Sequence, residues 1–531
     1  MNTNKLHIIL IIIFCTIIFS QNPIDNYLSG NNTLTVIGSF EDGIDKPRDL
    51  DFHPTLDNQL WVLNQGEDAY SNNSQYVANV CVPENSNLTF TIYDSYGDGI
   101  CCSYGIGSYQ VIACGTTYAS GGNFNSSEST SFSVGTCAGP CTPTEVEVEI
   151  TINTDNYGME TSWELVDSNS DALYANLMEP GGRTVIYFDA GCSNQTSEFR
   201  KDAFSNHFMN TASSMAFDNQ GYFANSIECR DGNNDPNGLF SGPSLWDADL
   251  DVYAVIHQND SELGSHIDML HQSPYSMGIE YAGSGNIYWV FDGYHSAIVR
   301  YDFATPHAYG GDNHADGRVW RYGEIEVDRE DGIPSHMILD DESGLLYIVD
   351  TGNQRILRFN TDSGNFNYNL TPYGEPLQQY WMMENAEWEV YINDGLNKPS
   401  GIDLYEDRLV VSDYASGEII IYDISTNPPS ELGYIETGNE NNIMGIKIGP
   451  DQKIWYVNYD QDEVIRIDYN TLPGDINFDE IVNILDIVLI VNIVLGNVEP
   501  TPSEWSAANV NGDGLVNILD VILIINIILG N

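Results

Sequence analysis

The sequence predicts a mainly β chain: a six-bladed β-propeller with an inserted small β-sandwich, followed by a small α-helical C-terminal module. Three observations carry this reading. A unit of alternating strands recurs between Lys46 and Asp468. A cysteine-bearing stretch, residues 66–181, interrupts one copy of that unit. The chain then closes on two near-identical segments, each an oxygen-rich loop running into an apolar helix.

The first element, residues 1–20, reads as a secretory signal peptide. Lys5 gives a basic start, Ile8 to Phe19 an apolar run, and Ser20 a small residue at the cleavage point. The run is short for a membrane span, and Cys15 within it lacks a lipid-anchor context. No later segment is an uninterrupted apolar run of spanning length, so the mature chain is expected to be secreted or associated with a cell surface, without a membrane span. Eight cysteines follow the leader: Cys81, Cys101, Cys102, Cys114, Cys137, Cys141, Cys192 and Cys229. An even number in an exported chain implies disulfides, among on the order of 100 possible pairings. Cys101 and Cys102 are adjacent, and a ring between neighbours is strained, so each is expected to pair elsewhere. The 77 acidic and 18 basic residues give a net charge of −59. Such a surface repels phosphate backbones and anionic lipid, which excludes nucleic acid as a partner, and it favours divalent cations.

The repeating unit is clearest at Pro399 to Asp423, PSGIDLYEDRLVVSDYASGEIIIYD: strand, turn, strand, short turn, strand. Related units begin near Tyr275, Pro334 and Ile443, with weaker ones near Pro47 and Ser213. Repeats of roughly 40–60 residues with three or four strands each indicate a β-propeller. Six units predict six blades, and Thr33 to Phe40 (TLTVIGSF) is left to supply the outer strand of the last one. The pattern resembles NHL-repeat propellers, a resemblance that implies the fold and little about function.

Spacing locates the insertion. An Asp or Asn ends the second strand of four units, and the third strand begins six residues on: Asp292 and Ile298, Asp350 and Ile356, Asp413 and Ile419, Asn458 and Val464. These Asp and Asn residues are expected to accept backbone N–H bonds in the following turn. In the first unit Asn64 is the equivalent, but Val185 takes the place of its partner. The insert contains LTFTIYDSYGDGICCSYGIGSYQV (Leu88 to Val111) and EVEVEITINTDNYGMETSWELVD (Glu145 to Asp167). Both alternate as strands do and break at Gly and Asp turns, so a small β-sandwich is expected. The DSYGDGICC string resembles a small cysteine-containing β module of exported multidomain proteins. In that module the TDNYGMETSWEL half comes first; here it comes second, as in a permuted module or two incomplete copies. Asp94 to Gly99 either holds a calcium ion or forms a tight turn.

The last element is the duplicated pair DINFDEIVNILDIVLIVNIVLG (Asp475 to Gly496) and NVNGDGLVNILDVILIINIILG (Asn509 to Gly530). Calcium needs six to eight oxygens, which a 12-residue loop supplies from positions 1, 3, 5, 7, 9 and 12. The first loop offers Asp475, Asn477, Asp479, the Ile481 carbonyl, Asn483 and Asp486. The second offers Asn509, Asn511, Asp513, the Leu515 carbonyl, Asn517 and Asp520. Gly514 suits the sharp turn at position 6, where the first loop has Glu480. With Asp at position 12 and no helix before either loop, the pair resembles a type I dockerin. That resemblance implies calcium as the cofactor and a docking partner. Dockerins often meet cohesins through Ser or Thr at loop positions 10 and 11; here these are Ile484, Leu485, Ile518 and Leu519, so the partner is a cohesin-like or other surface receptor. Both helices are apolar nearly all round, which predicts extensive burial.

Seven of the ten histidines lie between His257 and His336. His336 stands where other units place Gly278, Gly401 or Gly445, at the start of an innermost strand, with Asp49 and Ser214 in the same ring. A channel site of His336 with His266, His271 or His314 is therefore a candidate for metal or substrate, since imidazole suits zinc. The alternative is loop histidines in ordinary hydrogen bonds. No nucleophile elbow, phosphate loop, zincin helix or acid–base pair is present, so catalytic residues stay unassigned. The sequence thus reads as a secreted calcium-binding multidomain protein. Its propeller would bind an unknown ligand or partner, and its tail would serve attachment. The alternative is an exported enzyme acting on polysaccharide, or a metal-dependent propeller lyase or lactonase. The expected boundaries are 1–20 for the leader, 21–65 and 182–470 for the propeller, 66–181 for the insert and 471–531 for the tail.

Overall fold

The computed structural model describes residues 22–530, apart from 30–31, 57, 66–72, 95–96, 103, 138, 143, 159–160, 169–172, 178–180, 234, 236, 260, 470–471, 479–480, 499, 501 and 513. The expected signal peptide lies outside the described residues, as do Asp479, Glu480 and Asp513. The chain divides into two compact units: Thr33–Asp468, and a smaller one of Tyr469–Asn531 with the segment ending at Asn32.

The large unit is a set of small sheets. In six of them a first strand pairs with a second, and the second with a third. The first strands are Pro47–Phe52, Ala212–Phe217, Ser276–Tyr281, Met337–Asp340, Pro399–Tyr405 and Ile443–Ile448. Each packs against the next in this order, and the last packs against the first, so the order of neighbours returns to its start. The second strands, such as Leu60–Asn64 and Ile287–Asp292, are buried almost throughout, which explains their unbroken apolar runs. Apolar clusters fill the spaces between neighbouring sheets. One gathers Trp61, Ile186, Met215, Phe223, Trp246 and Tyr253 from the first and second sheets. The Asn32–Gly38 strand is the outer member of the last sheet, beside Glu463–Tyr469.

The turn Asp and Asn residues differ in use. Asp292 accepts from the N–H groups of Tyr294 and His295, and Asp413 from those of Ala415 and Ser416, as expected of turn acceptors. Asp350 instead accepts from the Asp328 N–H of another loop. Asn64 and Asn458 act as donors, to the Gly43 carbonyl and to Glu463.

The first sheet shows where the chain departs and returns. Leu60–Asn64 pairs with Arg183–Phe188, with Asn64 opposite Arg183 and Leu63 opposite Thr184. In the four units with this spacing the residue before the turn Asp or Asn pairs with the residue six beyond it, as Phe291 with Ile298. Thr184, not Val185, therefore holds the equivalent place; Val185 pairs with Val62. A tight turn normally fixes hairpin register, and here a folded segment replaces the turn, so counting from the sequence slips by one.

The strands between these two form sheets of their own. Gln75–Pro83, Glu145–Asn153, Ser108–Ala113 and Thr116–Gly121 make one; Asn87–Asp94, Thr161–Asp167, Leu173–Leu177 and Ser127–Ser133 make the other. One apolar cluster, including Phe90, Val111, Val148, Ile150, Trp163 and Leu165, lies among residues of both. Strict alternation in EVEVEITIN puts every second residue of Glu145–Asn153 in that core. At DSYGDG, Asp94 Oδ1 accepts from the N–H groups of Gly97 and Asp98, the bonding of a tight turn. Disulfides join Cys81 to Cys141 and Cys114 to Cys137. The remaining pair in this region, Cys101 and Cys102, are bonded to each other across a cis peptide with Cα atoms 3.1 Å apart. This corrects the expectation that each pairs elsewhere: the other four cysteines of the region are used among themselves. Cys192 and Cys229 are free thiols.

The third sheet is also larger than the repeat predicts. Arg318–Tyr322 pairs in parallel with Gln379–Glu384, which pairs with Asn365–Asn369, making six strands. The added strands belong to an excursion within the fourth unit that covers an otherwise open edge.

The small unit holds the Ile484–Val494, Pro502–Ala508 and Ile518–Leu529 helices around Ile476, Ile490, Ala507, Ala508, Val521 and Ile524. Burial is one-sided, contrary to the extensive burial expected of helices that are apolar nearly all round. Ile484, Leu485, Val488, Ile518, Leu519 and Ile522 are all exposed, Ile484 by 64%. Two short helices bury only the faces turned to each other, and a module this small has no second layer to cover the rest. No helix among the described residues is long and apolar enough to cross a membrane.

Candidate functional site

In the C-terminal loops, each helix begins at an Asn whose side chain caps it. Asn483 Oδ1 accepts from the Leu485 N–H at 2.8 Å, and Asn517 Oδ1 from the Leu519 N–H at 2.9 Å. Each Asn also donates to the carbonyl two residues before it, Ile481 or Leu515. The Asp at position 12 completes a capping box and ties the loop together. Asp486, fully buried, accepts from the N–H groups of Ile476, Asn477 and Asn483 at 2.8, 3.2 and 2.8 Å. Asp520 accepts from Asn511 and Asn517 at 3.2 and 2.9 Å. Position 4 takes a left-handed turn in both loops, at Phe478 (φ 56°) and Gly512 (φ 67°), and Gly514 takes another (φ 79°). Asn509 Oδ1, at position 1 of the second loop, is buried with no hydrogen-bond partner. An uncompensated buried carbonyl oxygen is costly.

The first strands of the large unit bring a second group together. Asp49 accepts from Ser214 Oγ and the Met215 N–H, both at 2.8 Å, and His336 Nδ1 stands 3.6 Å from its other oxygen. Two residues further along the same strands lie Asp51, Glu280, Asp403 and Lys447. Lys447 Nζ is 3.7 Å from Asp51 Oδ1, and the two side chains keep 15% and 17% of their surface, so water reaches them. Burial pushes Glu280 up to about 8, with Lys447 opposing and Asp51 adding to the shift. Burial likewise raises Asp51 and Asp403. It works against charge on Lys447, but Asp51, Asp403 and Glu280 outweigh it and hold the ammonium above its ordinary range. Sequence reasoning picked out His336, Asp49 and Ser214 and missed this second ring. Its signal was present as the alternation of DLD, GIE, GID and GIK, which puts both rings on one face of the first strands.

His266, His271 and His314 gather in a different place. His271 Nδ1 bonds Glu375 at 3.0 Å, and its Nε2 meets His207 Nε2 at 3.3 Å. His314 Nδ1 bonds Asp268 at 3.1 Å. His266 and His307 have ring centres 5.0 Å apart, and His307 and His314 5.4 Å. Burial lowers His207 to about 4 and His266 to about 3, in each case helped by a neighbouring imidazole. His336, by contrast, has Asp49, the Ser213 carbonyl, Lys447 and Arg48 around it. His336 thus has different neighbours from His266, His271 and His314, and His207, His307, Asp268 and Glu375 are the residues the sequence reading left out. Their side chains meet only through pairing and a long loop return, which no local spacing reveals.

Residues 473–529 match the family of the dockerin type I domain. No curated protein matches the chain. Among solved structures, an auxiliary nutrient binding protein from Bacteroides ovatus is 9% identical with a TM-score of 0.32, covering 75% of this chain and 99% of its own. The glutaminyl cyclase of Myxococcus xanthus is 12% identical with a TM-score of 0.27, over 50% of this chain and 90% of that one. The WD40 β-propeller domain of Doa1 is 8% identical with a TM-score of 0.28, over 54% and 85%. Likeness of this degree assigns neither fold nor function.

Proposed function

We propose that this protein is an exported, calcium-loaded assembly protein: an NHL-like six-bladed propeller (21–65 and 182–470) carrying an inserted cysteine-containing β module (66–181) and a dockerin tail (471–531), with residues 1–20 as its leader. The observation that carries the proposal is the tandem pair of capped loops, with Asn509 Oδ1 buried and unpartnered at a ligand position. Calcium would be held by Asp475, Asn477, Asp479, the Ile481 carbonyl, Asn483 and Asp486, and by Asn509, Asn511, Asp513, the Leu515 carbonyl, Asn517 and Asp520. The propeller assignment is supported by the cyclic order of the six first strands. The exposed apolar positions Ile484, Leu485, Ile518 and Leu519 support docking to a cohesin-like or other surface receptor with an apolar contact surface. Disulfides and the acidic surface fit an extracellular setting.

Calorimetric calcium titration of the mature chain tests this. Two binding events are expected, with Asp486→Ala and Asp520→Ala each abolishing one. Binding unchanged in the double variant would remove the tail as a calcium module.

A second reading, an exported enzyme acting on polysaccharide or a lyase or lactonase, is favoured by one observation: the half-buried group of Asp51, Glu280, Asp403 and Lys447 beside His336. Shifted carboxylates around a water-accessible lysine are a common setting for acid–base chemistry. Turnover of polysaccharide or lactone substrates that disappears in Glu280→Gln and Lys447→Ala would support it. Equal turnover in these variants would count against it.

A further inference from the structure

Asp268, His307 and His314 lie in the large unit, away from the residues assigned above. Asp268 belongs to His266–Met269, the outer strand of the second sheet. His307 and His314 come from the stretch between Ala297–Asp302 and Arg318–Tyr322 of the third sheet. One carboxylate oxygen and one nitrogen from each imidazole all lie within 4.8 Å of one another. Around a tetrahedral zinc ion the ligand atoms stand about 3.3 Å apart, so a small closure completes the geometry.

The hydrogen bonds point the same way. His307 Nδ1 lies 2.7 Å from the Ala308 carbonyl, so it carries the proton and Nε2 carries a lone pair. That Nε2 is buried and has no partner. A backbone carbonyl orienting the far nitrogen is the usual support of a metal-bound histidine. His266 repeats the arrangement: its Nδ1 bonds the Leu263 carbonyl at 2.8 Å, and its Nε2 is also buried and unpartnered. An orphaned imidazole lone pair on His307, close to a carboxylate and a second imidazole, is a poor hydrogen-bonding solution and a good place for a cation. His307 also lines an open cleft of about 450 Å³ with Asn313, Asp316 and Gln378, which gives an entry path.

We propose that Asp268, His307 and His314 bind a divalent transition-metal ion, zinc by ligand type, which ties the loop of the third sheet to the outer strand of the second. Two imidazoles and one carboxylate suit zinc and its neighbours and suit calcium poorly. The site is therefore chemically distinct from the oxygen-only loops of the tail.

The test uses the full mature chain, stripped with chelator and kept in saturating calcium to occupy the tail and the diffuse acidic surface. Cobalt(II) is titrated and followed by its visible absorption, then displaced with zinc. One equivalent with the intense bands of low-coordinate cobalt is expected, together with a zinc-dependent rise in melting temperature. His307→Ala, on a half-buried loop, and the isosteric Asp268→Asn should each weaken binding by at least about tenfold, with the metal-free melting temperature unchanged. Absence of a cobalt spectrum in excess calcium overturns the proposal. So does equal affinity in both variants.

Discussion

Glu280 shows how one side chain sets a pH dependence. Its carboxyl is pushed up to about 8 by burial, against an ordinary value of about 4.3. The folded state therefore holds a proton that the unfolded chain releases. The stabilising contribution is full below the unfolded value and is lost as pH rises through the folded one. Glu280→Gln is expected to flatten the fall in melting temperature between these limits; parallel curves would show that the shift is not felt. The histidines run the other way. His207 and His266 are lowered, so their contributions are present above the ordinary imidazole range and lost as pH falls through about 4 and about 3 respectively. Which single residues matter was partly readable in advance. Asp486 and Asp520 follow from loop spacing, and His336 with Asp49 from aligning the repeats. His207 and Glu375 did not follow, because they reach His271 from elements distant in the chain.

Elements follow the sequence where pattern and environment agree. The second strands read as apolar runs and are buried on both faces. The alternating Glu145–Asn153 strand faces a core on one side. The capped helices begin where Asn precedes the apolar run. Asn517→Ala should remove its cap, at about 1 kcal/mol, weakening the second calcium event several-fold in calorimetry and leaving the first unchanged. Where the reading failed, a tertiary neighbour decided. The strands Asn365–Asn369 and Gln379–Glu384 join a sheet other than that of their own unit. The register of Arg183–Phe188 is set by Leu60–Asn64 rather than by a turn. The helices of the tail keep apolar faces that composition alone would bury.

For the molecule as a whole, repeat counting anticipated six first strands, each paired with a second. It could not supply the disulfides, since pairing depends on which strands end side by side. Cys81 and Cys141 close a loop of sequence separation 60, so Cys81→Ser with Cys141→Ser should cost about 2–4 kcal/mol. The loss should appear as earlier denaturant unfolding of the two sheets between Gln75 and Leu177, while the other sheets unfold as before. Simultaneous loss of all sheets would mean that they act as one cooperative block.

The edge strand Asn32–Gly38 gives the protein a timetable. Thr35 Oγ1 donates to Asp468, 433 positions later, where this strand meets the last sheet. A chain emerges from its N-terminal side, so this strand is out well before its neighbour. Their pairing cannot begin until everything between them is out, and contacts so distant in sequence form slowly. In that interval the strand is an unpaired edge, open to the wrong partner. Only Gly38 of Asn32–Gly38 is fully buried, and Leu34 and Val36 stay exposed, so the strand is held at this edge by its ladder and polar contacts more than by core packing.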